Sequence, residues 1–283
     1  MFIGSAIVFG VVTVLVLAAV LRSHGDREPS REDSRSAKGL VLLGGFLVPL
    51  AVLIALFVLI LTSMPISAQP RPGRSSLVVD VTGHQWFWEV RYPAQHVVTA
   101  NEIHIPAGKS VEVDVSTADV IHSFWVPGLN RKIDTIPGRD NRVLLRADSP
   151  GVYRGQCAEF CGLEHAKMAF LVFVDPPDRF RAWLANQQKP AATTTGPGEH
   201  VFVSNCAGCH TISGTPARGT IGPNLTHLAS RTTIAAGTIP NNPGYLAGWI
   251  LDPQHVKPGN KMPGIDLTGG RLQSLLQYLE SLK

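Results

Sequence analysis

One segment of the 283-residue sequence concentrates side chains that bind transition metals. It reads CAEFCGLEHAKM, residues 157–168, and a further histidine, His122, lies upstream in IHSFWVP. The potential ligands within the segment are Cys157, Cys161, His165 and Met168. Thiolate, imidazole and thioether groups together favour a soft, redox-active metal, with copper first. Because two cysteines, two histidines and a methionine exceed what a single copper needs, the set predicts two copper ions bridged by the two thiolates.

Two other chemistries remain open for this segment. Zinc fits a set of two cysteines and two histidines, but it leaves Met168 without a role, and the spacing differs from that of zinc fingers. A disulfide between Cys157 and Cys161 is sterically possible in an oxidising compartment. The joint spacing of the residues favours copper, since any one of the histidines or the methionine alone is more typical of packing.

A second segment, CAGCH at residues 206–210, has the C-x-x-C-H pattern of covalent haem attachment. Cys206 and Cys209 would bond the haem vinyl groups, and His210 would bind the iron. A thiol redox pair or a zinc site is the alternative for this pattern.

The second iron ligand is predicted by elimination. Met262 is the only one of the four methionines that lies in this C-terminal part of the chain. A Met/His pair raises the haem potential. His227 and His255 are the alternative ligands.

Short strands must position the first segment. Between residues 77 and 174 the stretches LVVDV, HQWFWEV, EIHIP and SVEVDVS have strand composition, and several alternate. In SVEVDVS the three valines face one way and the polar side chains the other. About eight such strands, separated by turns rich in Gly, Pro, Asn and Asp, predict a β-sandwich.

Helices are predicted on the C-terminal side. DPPDRFRAWLANQQ adds a short helix at the end of the sandwich, and KPAATTTGPG is a flexible linker with little to bury. The closing LQSLLQYLESLK places four leucines on one helical face, and this face packs into the core of the last domain. These leucines are Leu272, Leu275, Leu276 and Leu279.

Two uncharged stretches near the N-terminus, residues 1–21 and 39–63, each reach the length of about 20 apolar residues that spans a bilayer. A cleaved signal peptide is the alternative for the first, although no charge precedes residue 22. Between the stretches lie five basic residues, Arg22, Arg27, Arg31, Arg35 and Lys38. The positive-inside rule places them in the cytoplasm, so both termini and the soluble domains lie on the periplasmic or external side of the cell membrane.

Composition excludes several classes of protein. Hydrophobic residues make up 45% and charged residues 16% of the chain, which excludes a disordered chain. The net charge of +4 comes without a cluster of Lys and Arg, so nucleic acid is not expected as a partner. All four cysteines fall in the two motifs, which leaves none for a structural disulfide elsewhere.

The motifs GHQWFWEV, STADVIHSFWVP, DTIPGR and CAEFCGLEHAKM resemble subunit II of the haem-copper cytochrome c oxidases, and the resemblance covers most of residues 1–185. It implies the dinuclear copper centre CuA, held by the side chains of His122, Cys157, Cys161, His165 and Met168 and by the backbone carbonyl of Glu159. The Glu159 side chain would contact Mg²⁺ at the interface with subunit I. Trp86 resembles the family's exposed tryptophan where electrons enter. Its alternative is a core aromatic, since strand alternation puts Trp86 and Trp88 on one face.

The C-terminal part, residues 196–283, resembles class I cytochrome c in IGPNL and YLAGWILDPQHVKPGNKMP. By this resemblance the carbonyl of Pro223 orients the proximal His210. The two resemblances together imply a caa3-type oxidase. One departure concerns proton uptake, because Leu42 stands seven residues before Pro49, where the family often has Glu.

We therefore predict a two-helix transmembrane hairpin, an all-β cupredoxin-like CuA domain, a linker and an all-α class I cytochrome c domain. Their bounds are 1–68 (helices about 2–21 and 40–63), 69–186, 187–197 and 198–283.

The predicted function is electron transfer from haem c to CuA and on to subunit I, which holds the site that reduces O₂ to water. This chain carries no catalytic residue of its own in that scheme. The predicted partners are subunit I, other oxidase subunits, the membrane, and a donor that is a cytochrome c or a quinol-oxidising complex. A nitric oxide reductase subunit and a non-catalytic copper or redox module are the alternatives. The hairpin argues against soluble nitrous oxide reductase.

Overall fold

The computed structural model describes residues 2–22, 38–63, 77–129, 131–191 and 195–283. The chain divides into two compact units, Met1–Ala68 and Gln69–Lys283. The predicted cytoplasmic loop falls largely on residues 23–37, and part of the predicted linker on 192–194, so both lie outside the described residues.

The first unit contains the two predicted apolar helices. Helix α1 spans Phe2–Arg22, and the second helix runs from residue 38 through a π-helical turn at Leu43–Leu47 into α2, Val48–Ser63. The stretches Gly4–Leu21 and Lys38–Thr62 are each long and apolar enough to cross a membrane. Their described side chains are exposed almost throughout, as expected of helices whose natural surroundings are lipid.

Pro49 accounts for the π-helical turn. A proline has no N–H, so residue 49 cannot donate to the carbonyl of Gly45 four residues earlier. The helix instead widens by one residue in this turn, and the N–H of Val48 donates to the carbonyl of Leu43. Such turns restore backbone hydrogen bonding where lipid offers none.

The second unit begins with a sandwich of two five-stranded sheets. The first sheet has the order β3-β2-β1-β5-β8, with β1 Val78–His84, β2 Phe87–Tyr92, β3 Val97–Ala100, β5 Val111–Thr117 and β8 Asn141–Leu145. The second has the order β4-β10-β9-β6-β7, with β4 Glu102–Pro106, β6 His122–Trp125, β7 Ile133–Thr135, β9 Gly151–Cys157 and β10 Ala169–Asp175. The described part of the sandwich therefore has ten strands, where the sequence predicted about eight.

Side chains that alternate along the strands point inward and form the core between the two sheets. The three valines of SVEVDVS share one face of the strand, as predicted, and all three are fully buried. Trp88 of β2 is also fully buried, and its ring lies 5.9 Å from that of Phe124 and 5.5 Å from that of Phe170. Trp86 differs, because it precedes β2, in the turn after β1, and is only partly buried. The strand alternation that would pair Trp86 with Trp88 therefore does not reach Trp86.

Helix α3, Pro177–Gln187, closes one side of the sandwich, where Trp183 stacks on His104 with ring centroids 4.0 Å apart. The remaining helices are α4 Pro197–Asn205, α5 Pro243–Leu251, α6 Pro253–Val256 and α7 Gly269–Ser281, joined by a small hairpin of β11 Thr233–Ile234 and β12 Ile239–Pro240. We call residues 195–283 the cytochrome domain and residues 77–191 the sandwich domain.

The cytochrome domain packs around α7. The predicted leucine face is present, with Leu275, Leu276 and Leu279 buried and Leu272 half-buried. Helix α4 crosses α7 closely at Gly198, where an added Cβ would lie 2.2 Å from the carbonyl oxygen of Ser274. Only glycine permits this approach of the two helices.

Candidate functional site

The metal-binding side chains of the first segment and His122 meet at one end of the sandwich. The Sγ atoms of Cys157 and Cys161 lie 3.7 Å apart, so the two buried thiols form no disulfide. Cys157 Sγ lies 3.8 Å from Nδ1 of His122, and Cys161 Sγ lies 3.6 Å from Nδ1 of His165. Met168 adds its Sδ atom 3.9 Å from Cys161 Sγ. All five predicted side chains therefore converge.

Strand pairing positions these groups. His122 begins β6 and Cys157 ends β9, and these strands pair with Phe124 opposite Cys157. The loop that follows Cys157 returns to the same strand end, where the N–H of Cys157 donates to the carbonyl of Met168 at 2.9 Å. The carbonyl oxygen of Glu159 then lies 3.2 Å from Cys157 Sγ.

A carboxylate that the sequence reading missed orients His122. The ring Nε2–H donates to Oδ1 of Asp119 at 2.8 Å, which leaves the Nδ1 lone pair facing the thiols. The backbone N–H groups of Gln85 and Val120 hold Asp119 in turn. A carboxylate behind a ligating histidine fixes its tautomer and ring orientation. The available signal was the Asp three residues before the histidine in STADVIH.

The thiols are electronically unequal. The hydrogen bond between the two thiols lowers the pKa of Cys157 and raises the pKa of Cys161. A metal bound by both sulfurs must displace the Cys161 proton. The donor set, with two thiolates at bridging distance, two imidazoles and a thioether, fits copper and uses Met168, whereas zinc would leave the thioether idle.

The side chain of Glu159 lies elsewhere. Its carboxylate is 43% exposed and pairs with Nζ of Lys132 at 2.9 Å. The carbonyl of Glu159 therefore belongs to the thiol cluster, while its carboxylate is directed to the surface.

The second predicted site is a cavity of about 230 Å³ lined by Cys206, Cys209, His210 and Met262. Nδ1 of His210 donates to the carbonyl of Pro223 at 2.7 Å. Burial lowers the pKa of His210, so the ring is neutral and its Nε2 lone pair is available to iron. The alternative ligands His227 and His255 are not among the lining residues.

Unpartnered polar atoms in the cavity wall fit a haem. His84 Nε2, Arg231 Nε and Thr233 Oγ1 are buried without a hydrogen-bond partner among the described residues. A buried polar atom without a partner is costly. Haem carries two carboxylates, which accept hydrogen bonds from groups of this kind, in addition to the apolar ring that the rest of the cavity suits.

Gly222 offers a test of the His210 position. An added Cβ would lie 2.5 Å from Cε1 of His210, so Gly222→Ala must displace the imidazole or strain the loop by about 1–3 kcal/mol. We expect reduced haem attachment and an altered haem spectrum in the purified variant. The control is Gly208→Ala, since nothing lies within 4 Å of a Cβ added there. Equal haem content in the two variants would contradict the role of His210.

The sandwich domain supplies one wall of this cavity, through His84, Gln85, Trp86, Phe87 and Asn101. We call residues 84–87 the Trp86 turn. Nε1–H of Trp86 donates to the carbonyl of Cys161 at 3.0 Å, and Nε2 of Gln85 donates to the same oxygen at 2.7 Å. One turn therefore contacts both the thiol loop and the cavity of the cytochrome domain. The strand-based reading of Trp86 could not predict this, because the cavity comes from a distant part of the sequence.

Other contacts join the two domains along the same side. Oε1 of Glu102 accepts hydrogen bonds from the N–H and the hydroxyl of Thr232 at 2.8 and 2.7 Å. The N–H of Ala169 donates to the carbonyl of Ala236 at 3.0 Å, next to Met168. The buried Arg231 donates to the hydroxyl of Thr99 at 3.3 Å. The cytochrome domain thus packs directly on the sandwich.

Comparison with known proteins agrees with both sites. The family model for the periplasmic domain of cytochrome c oxidase subunit II matches residues 94–174, and the cytochrome c model matches residues 196–283. Cytochrome c oxidase subunit 2 of Alkalihalophilus pseudofirmus is 36% identical over 294 residues, covering 100% of this chain and 84% of the relative. The chain belongs to the cytochrome c oxidase subunit 2 family.

A further relative and a solved structure are also similar to this chain. Cytochrome c oxidase subunit 2 of Bacillus sp. PS3 is 37% identical over 226 residues, which is 74% of this chain and 63% of the relative. Among solved structures, the periplasmic domain of subunit II of cytochrome oxidase of Bradyrhizobium japonicum is 32% identical, covers 42% of this chain and 97% of its own, and has a TM-score of 0.40.

Family membership confirms several predictions. The oxidase resemblance was correct, as was the order of two apolar helices, cupredoxin-like sandwich and helical cytochrome c domain. As a subunit 2, the chain is part of an oxidoreductase complex and partners other oxidase subunits. It is a membrane protein with external soluble domains, and copper and haem c are consistent with its two matched domains. The individual ligand assignments, including Glu159 and Pro223, remain predictions, as do the domain bounds.

Proposed function

We propose that this chain passes electrons from haem c in its cytochrome domain to CuA in its sandwich domain, and from CuA to the haem-copper subunit I of a caa3-type oxidase, which reduces O₂ to water. The observation that carries the proposal is the Trp86 turn. It forms part of the wall of the haem cavity and also donates two hydrogen bonds to the carbonyl of Cys161.

The residues fit their cofactors. His122, Cys157, Cys161, His165, Met168 and the carbonyl of Glu159 would hold the copper pair, and Cys206, Cys209, His210 and Met262 would hold haem c. When bound, these groups supply one-electron redox chemistry. The chain itself excludes water and fixes the ligands, with Asp119 orienting His122 and the Pro223 carbonyl orienting His210. A fixed cage changes little in geometry between redox states, which favours fast transfer at low driving force.

The membrane arrangement completes the proposal. Both termini and the soluble domains lie on the external side of the cell membrane, with the basic loop in the cytoplasm. Mg²⁺ at the subunit I interface would take the Glu159 carboxylate in exchange for its ion pair with Lys132. Because position 42 is Leu, proton uptake does not use a carboxylate at this place in the second helix.

The decisive experiment uses the purified membrane complex and a reduced soluble cytochrome c. In anaerobic rapid mixing we expect haem c to be reduced first and the CuA absorbance to change after it. In aerobic buffer we expect cyanide-sensitive O₂ uptake. Reduction of CuA before haem c would contradict the order proposed. A complex that consumes nitric oxide but no O₂ would contradict the oxidase assignment.

A further inference from the structure

Among the described residues, one buried lysine lies between the two predicted redox sites. Lys257 follows α6 in the cytochrome domain and is only 2% exposed. Its Nζ donates to the carbonyl oxygens of Trp86 at 2.9 Å, Lys167 at 2.8 Å and Ala235 at 3.3 Å. An ammonium group has three N–H donors, so these three carbonyls match its full capacity.

The three carbonyls belong to three segments whose positions relative to one another determine how the two domains are docked. Trp86 is in the turn that walls the haem cavity, and Lys167 directly precedes the predicted copper ligand Met168. Ala235 is in the β11–β12 hairpin of the cytochrome domain, which packs on Ala169.

A reciprocal contact strengthens the arrangement. Lys167 of the sandwich domain donates its own Nζ to the carbonyl of Val256 at 2.6 Å, next to Lys257. Each lysine thus bonds to the backbone of the opposite domain. Lys167 also lies 3.4 Å from the buried carboxylate of Glu164, which places a negative charge close to the pair.

The surroundings of Lys257 are dry. Burial lowers its pKa to about 8, with Glu164 and Cys161 opposing the shift and Lys167 adding to it. A lysine is expensive to bury without hydrogen-bond partners, and it is rarely buried by chance. The Lys257 ammonium group can remain charged because hydrogen bonds to backbone carbonyls of both domains replace its hydrogen bonds to water.

We infer that Lys257 is the positioning residue that holds the cytochrome domain against the Trp86 turn and so sets the electron-transfer distance between haem c and CuA. This inference rests on the proposed function for its electron-transfer part. The positioning itself is independent of any cofactor and can be measured without turnover.

The first test needs no substitution. The intact complex is treated with an amine-reactive label and analysed by peptide mass spectrometry. We expect Lys261, whose side chain is 64% exposed, to react readily, and Lys257 to react at least about 10-fold more slowly because it lacks contact with water. Equal labelling of the two lysines would overturn the inference.

The second test compares Lys257→Met with Arg271→Met, which removes an equal charge from an exposed position on α7. For Lys257→Met we expect faster amide hydrogen exchange in residues 86–88 and 167–169 and electron transfer from haem c to CuA slowed by about 10- to 100-fold. Copper content, haem content and the rate at which external cytochrome c reduces haem c should stay unchanged, and Arg271→Met should match the native protein.

The outcomes separate the two proposals. Faster exchange with an unchanged haem-to-copper rate would overturn the role of Lys257 in electron transfer and leave the proposed function standing. Unchanged exchange would overturn the positioning role. If the native complex never passes electrons from haem c to copper, the proposed function fails, while labelling and exchange still report on the docking. If Lys257→Met does not accumulate, native labelling decides the positioning role.

Discussion

Replacing His122 with alanine should abolish the CuA centre. The imidazole is fully buried, its Nδ1 faces Cys157, and His122 groups with Cys157 and Cys161 as potential metal ligands. Loss of a group that merely supports a ligand already weakens metal binding about 10- to 100-fold, so loss of the ligand itself should cost at least as much. We expect the purified complex to lose the CuA absorption and paramagnetic resonance signals and the corresponding copper.

The functional consequence distinguishes the two halves of the electron route. In His122→Ala, haem c should still be reduced by an external donor, but it should not be reoxidised when O₂ is added. The control is Ser123→Ala, since the neighbouring hydroxyl is buried and has no hydrogen-bond partner among the described residues. Normal turnover with a normal copper signal in His122→Ala would refute the copper assignment.

Replacing Met262 with alanine should lower the midpoint potential of haem c. Thioether ligation raises the potential, and axial ligands set haem potentials over a range of about 0.8 V, so we expect a fall on the order of 0.1–0.3 V. A redox titration of the haem absorbance measures it. Reduction of haem c by the same donor should become less complete, because the driving force for that step decreases.

The matched control for Met262→Ala is Ile265→Val, which removes one methyl group from the same cavity wall and no ligand. Its potential should stay close to that of the native protein. An unchanged midpoint potential in Met262→Ala would contradict the assignment of the Met262 thioether as an iron ligand. His227 would not be a ready replacement, because its Nε2 is directed to the carbonyl of Lys189 at 3.2 Å.

The copper and haem motifs were predictable because their information is local. Four predicted copper ligands lie in one short segment of the chain: Cys157, Cys161, His165 and Met168. Local folding of this segment is therefore enough to bring them together. The contact between Lys257 and Trp86 joins residues 171 positions apart, and no local pattern relates them. The prediction that Trp86 and Trp88 share a face failed for a similar reason. Alternation of side chains holds within β2, which contains Trp88, but not in the preceding turn, which contains Trp86. At Pro49 the missing N–H can be inferred from the sequence, whereas the π-helical turn depends on the hydrogen bond from Val48 to Leu43, which composition does not report.

The packing of the cytochrome domain on the Trp86 turn also determines the kinetic order of the proposed electron transfer within the chain, which we call the internal step. The proposed donor and acceptor sites belong to one chain, so the proposed transfer from haem c to CuA should be first order and independent of protein concentration. Ionic strength screens interactions between exposed charges, yet the groups that hold this interface are largely buried. Salt should therefore slow the encounter with a soluble donor and leave the internal transfer almost unchanged, so a plot of turnover against ionic strength reads out the outer step alone.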